Sequence, residues 1–212
     1  MTTSAPTSGA PSQTLVICDA SVIVGFVAAD KQQLFLDVIK CKNITLKVPV
    51  HVNGEIERVL SGSTGAVGRG SRLPSRWRWL RNALGTDTVL PPVVFPGPIG
   101  SVADKFATLK DVVGFVVTPR MRDGGEYFVV AHALAIQGRG EEVSVAVDDT
   151  FGRKLATLNN LTVISTIELF GFAIDLGLLS NLSELENAYD AVGQFSTLPT
   201  LSASRLDRRF LS

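Results

Sequence analysis

The sequence predicts an α/β fold built on a central, mostly parallel sheet with helices on both faces. Three observations carry that reading. Short apolar runs at residues 14–18 and 143–147 read as strands, the first buried rather than half-exposed. Segments with apolar residues at helical spacing lie between the strands, so the two element types alternate along the chain. Finally, acidic residues stand where predicted strands end or the following helices begin, and a parallel sheet gathers those ends along one edge, where ligands bind.

The elements follow in order. Residues 14–18 form the first strand and end in Asp19. A helix over 21–28 and a second over 31–40 come next, the latter with Leu34, Phe35, Val38 and Ile39 on one side. Residues 44–50 are the second strand, and Asn53 is placed to cap a helix carrying Glu55, Ile56, Val59 and Leu60. The glycine-rich stretch 61–70 reads as a flexible loop; it lacks the Gly-Lys-Ser/Thr ending of a phosphate-binding loop. In the next helix, 73–84, Pro74 suits the first turn and Gly85 the C-terminal cap. Pro91 and Pro92 interrupt a strand at 89–95 and confine it to a sheet edge. Helices at 99–110 and 124–137, the strand at 143–147, a helix at 151–158, a strand at 161–164 and a helix at 166–179 complete the series.

At 212 residues the chain is long enough to bury one substantial core, and a single domain is expected. The formal net charge is zero, so no global basic field marks it for nucleic acid. Cys18 and Cys41 lack metal-ligand or redox spacing and are expected to be reduced core thiols of a cytoplasmic protein. Residues 1–13 are polar, Ser/Thr/Pro-rich and uncharged, unlike a signal peptide, and read as a disordered lead-in. The most apolar late stretch contains Glu168 and Asp175 and is too short for a bilayer span, so no membrane association is expected. The main domain covers 14–180; the polar extension 181–212 is expected to be only partly ordered.

Asp19, Glu55, Glu126 and the Asp148-Asp149 pair are the candidate site. Bare carboxylates ~4 Å apart repel by about 1 kcal/mol in water and about 4 kcal/mol at an effective dielectric near 20. Such a cluster would raise its own pKa values and hold protons. A hard divalent cation reverses the sign, and all-oxygen ligation points to Mg²⁺ or Mn²⁺. Local context adds specificity. Ser21 puts a hydroxyl two residues past Asp19, Gly125-Glu126 opens an alanine-rich helix, and Asp148-Asp149 precedes Arg153 and then Ser165-Thr166.

These words resemble the PIN-domain nucleases, in particular the branch of VapC-type toxins and their stand-alone relatives. The resemblance covers residues 15–60 and 123–179, with its acidic motifs falling on Asp19, Glu55, Glu126 and Asp148-Asp149. It implies a PIN-like α/β/α sandwich and Mg²⁺- or Mn²⁺-dependent hydrolysis of RNA, usually single-stranded, leaving a 5′-phosphate and a 3′-hydroxyl. Asp19, Glu126 and the aspartate pair would hold the metal, Glu55 would orient the water or complete a second metal site, and Ser21 and Thr166 would position water or ligand carboxylates. Alignment to the toxin pattern favours Asp149 as the last ligand, whereas Asp148 continues the strand more directly. Ser165 stands where the family often has glycine, and the segment 61–122 is longer than compact toxins need. Toxin members bind an antitoxin that blocks the acidic pocket, and many form homodimers; nothing in the sequence identifies either partner, and the long middle segment suits a stand-alone role.

His51 and His132 read as structural rather than catalytic. Arg72, Arg76 and Arg78, interleaved with Trp77 and Trp79, suggest a phosphate-tracking patch with stacking platforms for single-stranded RNA. Against it, Trp77, Leu80 and Leu84 form an ordinary core stripe on a helix. Two other classes compete. A haloacid-dehalogenase-type phosphatase wants a second aspartate two residues after the first, where this chain has Ser21. A catalytically inert PIN-fold scaffold for RNA or protein would tolerate decay of the acidic motifs, yet all are filled.

Overall fold

The computed structural model describes residues 13–62, 72–113 and 124–210. Five strands, β1 (Thr14–Cys18), β2 (Ile44–Pro49), β3 (Val89–Leu90), β4 (Val143–Ala146) and β5 (Thr162–Ile164), form one sheet in the order β3-β2-β1-β4-β5. Every pairing is parallel. All four residues of β4 are buried, as are the last three of β1, because helices cover both faces and leave no solvated side to alternate with. The result is an α/β/α sandwich.

The chain builds outward from β1 to β2 and β3, then returns to place β4 on the other side of β1. Strand order therefore reverses between β1 and β4. At such a switch point the connections leave in opposite directions and open a crevice beyond the strands' C-terminal ends. Cys18 pairs with Ala146 in register, and the Asp19 N–H donates to the Ala146 carbonyl at 2.9 Å. That bond fixes Asp19 and Asp148 on either side of the crevice.

Helices α1 (Ala20–Ala28), α2 (Gln32–Cys41), α3 (Val50–Leu60) and α4 (Leu73–Leu84) come from the first half. Helices α5 (Val102–Val113), α6 (Gly125–Gln137), α7 (Thr150–Leu158) and α8 (Thr166–Asp175) follow, with α6 packed across β1, β2 and β4. Helices α9 (Leu182–Gly193) and α10 (Leu201–Ser204) and a 3₁₀ turn at Leu206–Phe210 end the described chain. No helix among the described residues is long and apolar enough to cross a membrane.

Several expectations are corrected. Asn53 is no cap: α3 starts at Val50, straight from the strand, and Asn53 lies inside the helix. There its amide oxygen accepts from Trp77 Nε1 at 3.2 Å and its nitrogen donates to Glu57 at 3.1 Å. The strand expected at 89–95 stops at Leu90, where two prolines withdraw the N–H groups that pairing needs. The helix expected from residue 99 begins at Val102, leaving Ile99 96% exposed, and α8 ends at Asp175. Cys41 is exposed, and only Cys18 is a core thiol. The C-terminal stretch expected to be only partly ordered forms α9, which buries Leu185, Ala188, Tyr189 and Val192. The glycine-rich residues 63–70, the lead-in 1–12 and residues 114–122 of the middle segment lie outside the described residues.

Candidate metal centre at the switch point

Asp19, Glu55, Glu126, Asp148 and Asp149 all line one cleft of about 360 Å³ beyond the ends of β1 and β4. Each arrives there for a local reason. Asp19 ends β1 and caps α1: its Oδ2 accepts from the Ser21 N–H at 3.0 Å and the Ser21 hydroxyl at 2.7 Å. It is only 3% exposed, and those two bonds with the helix N-terminus offset part of the cost of burying its charge. Glu55 projects from the second turn of α3.

Glu126 stands in the first turn of α6, and Gly125 before it is small for a reason the geometry displays. A Cβ at Gly125 would lie 3.1 Å from Glu55 Oε2 and 3.2 Å from Asp19 Oδ1. The glycine thus lets the helix start between two carboxylates from other elements. At the opposite side Gly152 admits Glu126, since a Cβ there would meet Glu126 Cγ at 3.0 Å and Val147 Cγ2 at 2.7 Å.

The adjacent aspartates have separate tasks. Asp148 is partly buried and accepts two bonds from Thr166, one from its N–H at 2.7 Å and one from its hydroxyl at 2.6 Å. Asp149 caps α7, its Oδ1 accepting from the N–H groups of Phe151 at 2.7 Å and Gly152 at 3.1 Å. Ser165, where the resemblance expects glycine, caps α8 with an extended backbone, φ −104°, that needs no glycine. Its hydroxyl oxygen accepts from the Glu168 N–H while its own N–H donates to the Glu168 carboxylate, a reciprocal capping box.

Electrostatically the cleft is strained in favour of protons or cations. Burial, with the charges of Asp19, Asp149 and Glu55, pushes the Glu126 carboxyl up from 4.5 to about 7. Asp148 is also raised, chiefly by burial and in part by Asp19, against the opposing hydrogen bonds of Thr166 and the charge of Arg153. The same surroundings push the buried Cys18 thiol well above its ordinary range, through burial first and then Asp19 and Asp148.

The donors suit a hard divalent cation: they are carboxylates with neither thiolate nor imidazole, and Glu126 Oε2 is buried with no hydrogen-bond partner. Among the described residues, however, no three His, Cys, Asp or Glu side chains already converge to ligand spacing. Like charges favour that separation; Asp19 and Asp149 are held as caps on their own helix ends, and Asp148 is held by Thr166 of α8.

The arginine cluster stands elsewhere. Arg72, Arg76 and Arg78 sit at the start and in the middle of α4, which packs on α1, α2 and α3, and none of them lines the cleft. Arg76 pairs with Asp30 at 2.9 Å. Trp77 is buried at 2% exposure as the core stripe requires, while Trp79 is exposed. His51 stacks on Phe128, and His132 is buried on α6; neither lines the cleft.

Sequence reasoning left Phe195, Ser196, Thr197 and Thr150 out of the lining and assigned Arg153 no role there. The signal for the first three was the spacing of Leu182, Leu185, Tyr189 and Val192, which is that of an amphipathic helix ending beside the site. Comparison of the chain with protein-family models, curated proteins and solved structures gives no match.

Proposed function

We propose that this protein is a PIN-like, Mg²⁺- or Mn²⁺-dependent ribonuclease that hydrolyses phosphodiester bonds at the switch-point cleft. The observation that carries the reading is the placement of Asp19 and Asp148 across the β1–β4 crevice, with Glu126, whose buried Oε2 has no hydrogen-bond partner, in the same cleft. Asp19, Glu126 and the aspartate pair are the residues that would hold the cation. When bound, Mg²⁺ or Mn²⁺ would lower the pKa of a water and neutralise a phosphate oxygen. Ser21 and Thr166 orient the Asp19 and Asp148 carboxylates through hydrogen bonds, and the carboxylates would have to draw together as the site loads. Glu55 orients the attacking water and takes its proton. The water oxygen adds to phosphorus as the bond to the 3′-oxygen breaks, and that oxygen leaves with a proton from solvent. The products are a 5′-phosphate and a 3′-hydroxyl.

A catalytically inert scaffold of the same fold, binding RNA or protein, is the second reading, and the separation of the carboxylates favours it. One experiment separates the two. Purified protein is assayed on single-stranded RNA with Mn²⁺, and its melting temperature is followed as Mn²⁺ is added. The nuclease reading expects cleavage and a rise in melting temperature, both lost in Asp19→Asn and Glu126→Gln variants that remain folded. Cleavage retained in both variants rejects the metal site. A wild type that gains stability with Mn²⁺ and cuts nothing supports the scaffold.

A further inference from the structure

We infer that the loop following α9 is a wall of the substrate site and that Phe195 on it is a stacking platform for one RNA base beside the scissile phosphate. The inference rests on the nuclease reading and assigns a part of the substrate to residues outside the carboxylate set.

Phe195 is the only aromatic residue lining the cleft among the described residues, and it is 42% exposed. An exposed ring is useful for binding only where its backbone is already fixed, and here both sides of it are fixed. The Phe195 N–H donates to the Val192 carbonyl at 3.0 Å, and the Ser196 hydroxyl donates to the same carbonyl at 2.8 Å. The Leu198 N–H donates to the Ser196 carbonyl at 3.0 Å, and Leu198 packs against the core. Tyr189 closes the loop from below, its hydroxyl donating to the Pro199 carbonyl at 2.9 Å.

The loop is also seated on α1. A Cβ at Gly25 would lie 3.2 Å from Val192 Cγ1 and 3.5 Å from Ser196 Cβ, so the end of α9 approaches the α1 backbone as closely as glycine permits. Since α1 begins at Asp19, one helix fixes both the carboxylate and the ring relative to each other.

Charge selects what the ring receives. The cleft carries five acidic residues and a single basic one, Arg153, whose charge already acts on Asp148. A polyanion therefore gains little from long-range attraction here. Binding needs contacts that do not depend on net charge, and base–aromatic stacking is such a contact, open to any unpaired base. A base paired within a duplex has both faces occupied by its neighbours, so the platform selects single strands.

The test compares wild type with Phe195→Ala and Phe195→Trp. The readout is Mn²⁺-dependent cleavage of a single-stranded RNA oligonucleotide and of the same oligonucleotide with one abasic ribose moved along it. Phe195→Ala is expected to raise KM by about ten- to hundredfold on intact RNA, with the loss in KM rather than kcat. Phe195→Trp is expected to restore it. At one abasic position wild type and Phe195→Ala should become equal. A KM unaffected by Phe195→Ala overturns the platform, as does a penalty that persists at every abasic position.

Binding of a fluorescent single-stranded RNA is measured alongside by anisotropy with Ca²⁺ in place of Mn²⁺, and the RNA is checked afterwards for integrity. If wild type binds that RNA, and Phe195→Ala does not, while neither cleaves RNA, the nuclease reading fails and the platform stands. Equal binding by both overturns the platform whatever the cleavage result.

Discussion

Thr166 holds Asp148 with two hydrogen bonds from one residue, its N–H and its hydroxyl reaching the two carboxylate oxygens at 2.7 and 2.6 Å. The residues are eighteen apart in sequence and come from the ends of adjacent strands, so the pair ties α8 to the end of β4. Thr166→Val keeps the shape and removes only the hydroxyl. Loss of a donor to a buried carboxylate is expected to cost about 1–3 kcal/mol, read by urea unfolding at pH 7, with Thr166→Ser recovering most of it. The Asp148 carboxyl, already raised by burial, should titrate higher still in the valine variant.

Two glycines predict opposite outcomes. Gly152→Ala drives a methyl to within 2.7 Å of Val147 Cγ2, deep in the packing, and is expected to destabilise the protein by about 1–3 kcal/mol. Gly125→Ala meets Glu55 Oε2 at 3.1 Å, the end of a flexible side chain, and Asp19 Oδ1 at 3.2 Å, contacts relieved by shifts of a few tenths of an ångström, and alanine favours the helix it begins. Its stability without metal should be unchanged or higher, while Mn²⁺ affinity, followed by the melting-temperature shift, should fall about tenfold or more.

Acid–base behaviour gives a signed test. The Glu126 carboxyl is raised from 4.5 to about 7, so the native state holds more protons than the unfolded state between those values, and stability falls as pH rises through that window. His132 is lowered from 6.5 to about 4 by burial and then by His51. Its unfolded form binds the extra proton, so its contribution is complete above 6.5 and is lost as pH falls toward 4. The two slopes oppose each other in the wild type. In metal-free buffer Glu126→Gln should lose the fall that Glu126 contributes, and be more stable than wild type at pH 8 by on the order of 1–2 kcal/mol once solvent screening of a partly exposed group is allowed for. His132→Leu should lose the rise that His132 contributes.

Arg76 belongs to the surface. Its pairing with the exposed Asp30 is expected to be worth less than about 1 kcal/mol, so Arg76→Ala should shift melting only slightly. Because α4 does not line the cleft, the same variant should cut RNA at the wild-type rate.

The sheet and its order of elements were legible because parallel strands are buried on both faces and leave unmistakable apolar runs, as in Val143–Ala146. The acidic residues were legible for a related reason, since strand ends are easy to find once strands are. Which aspartate does what was not, because Asp148 and Asp149 differ only in where α7 begins and in what reaches back from α8. Asn53 misled for a similar reason: it is a good capping residue, but its amide is engaged by Trp77, a partner twenty-four residues away. The wall at Phe195 was hidden by composition. A polar stretch looks loose until its few apolar residues are counted by helical period, and Leu185, Tyr189 and Val192 then give it a buried face.

The crossover that puts β4 beside β1 has a consequence for the order in which this protein comes into being. The cleft takes its lining from residues 19 to 197. A nascent chain emerging from the ribosome therefore has no assembled cleft when its first carboxylate, Asp19, appears, and the ring at Phe195 is among the last parts of the lining to arrive. An activity directed at RNA would remain silent until that segment has emerged.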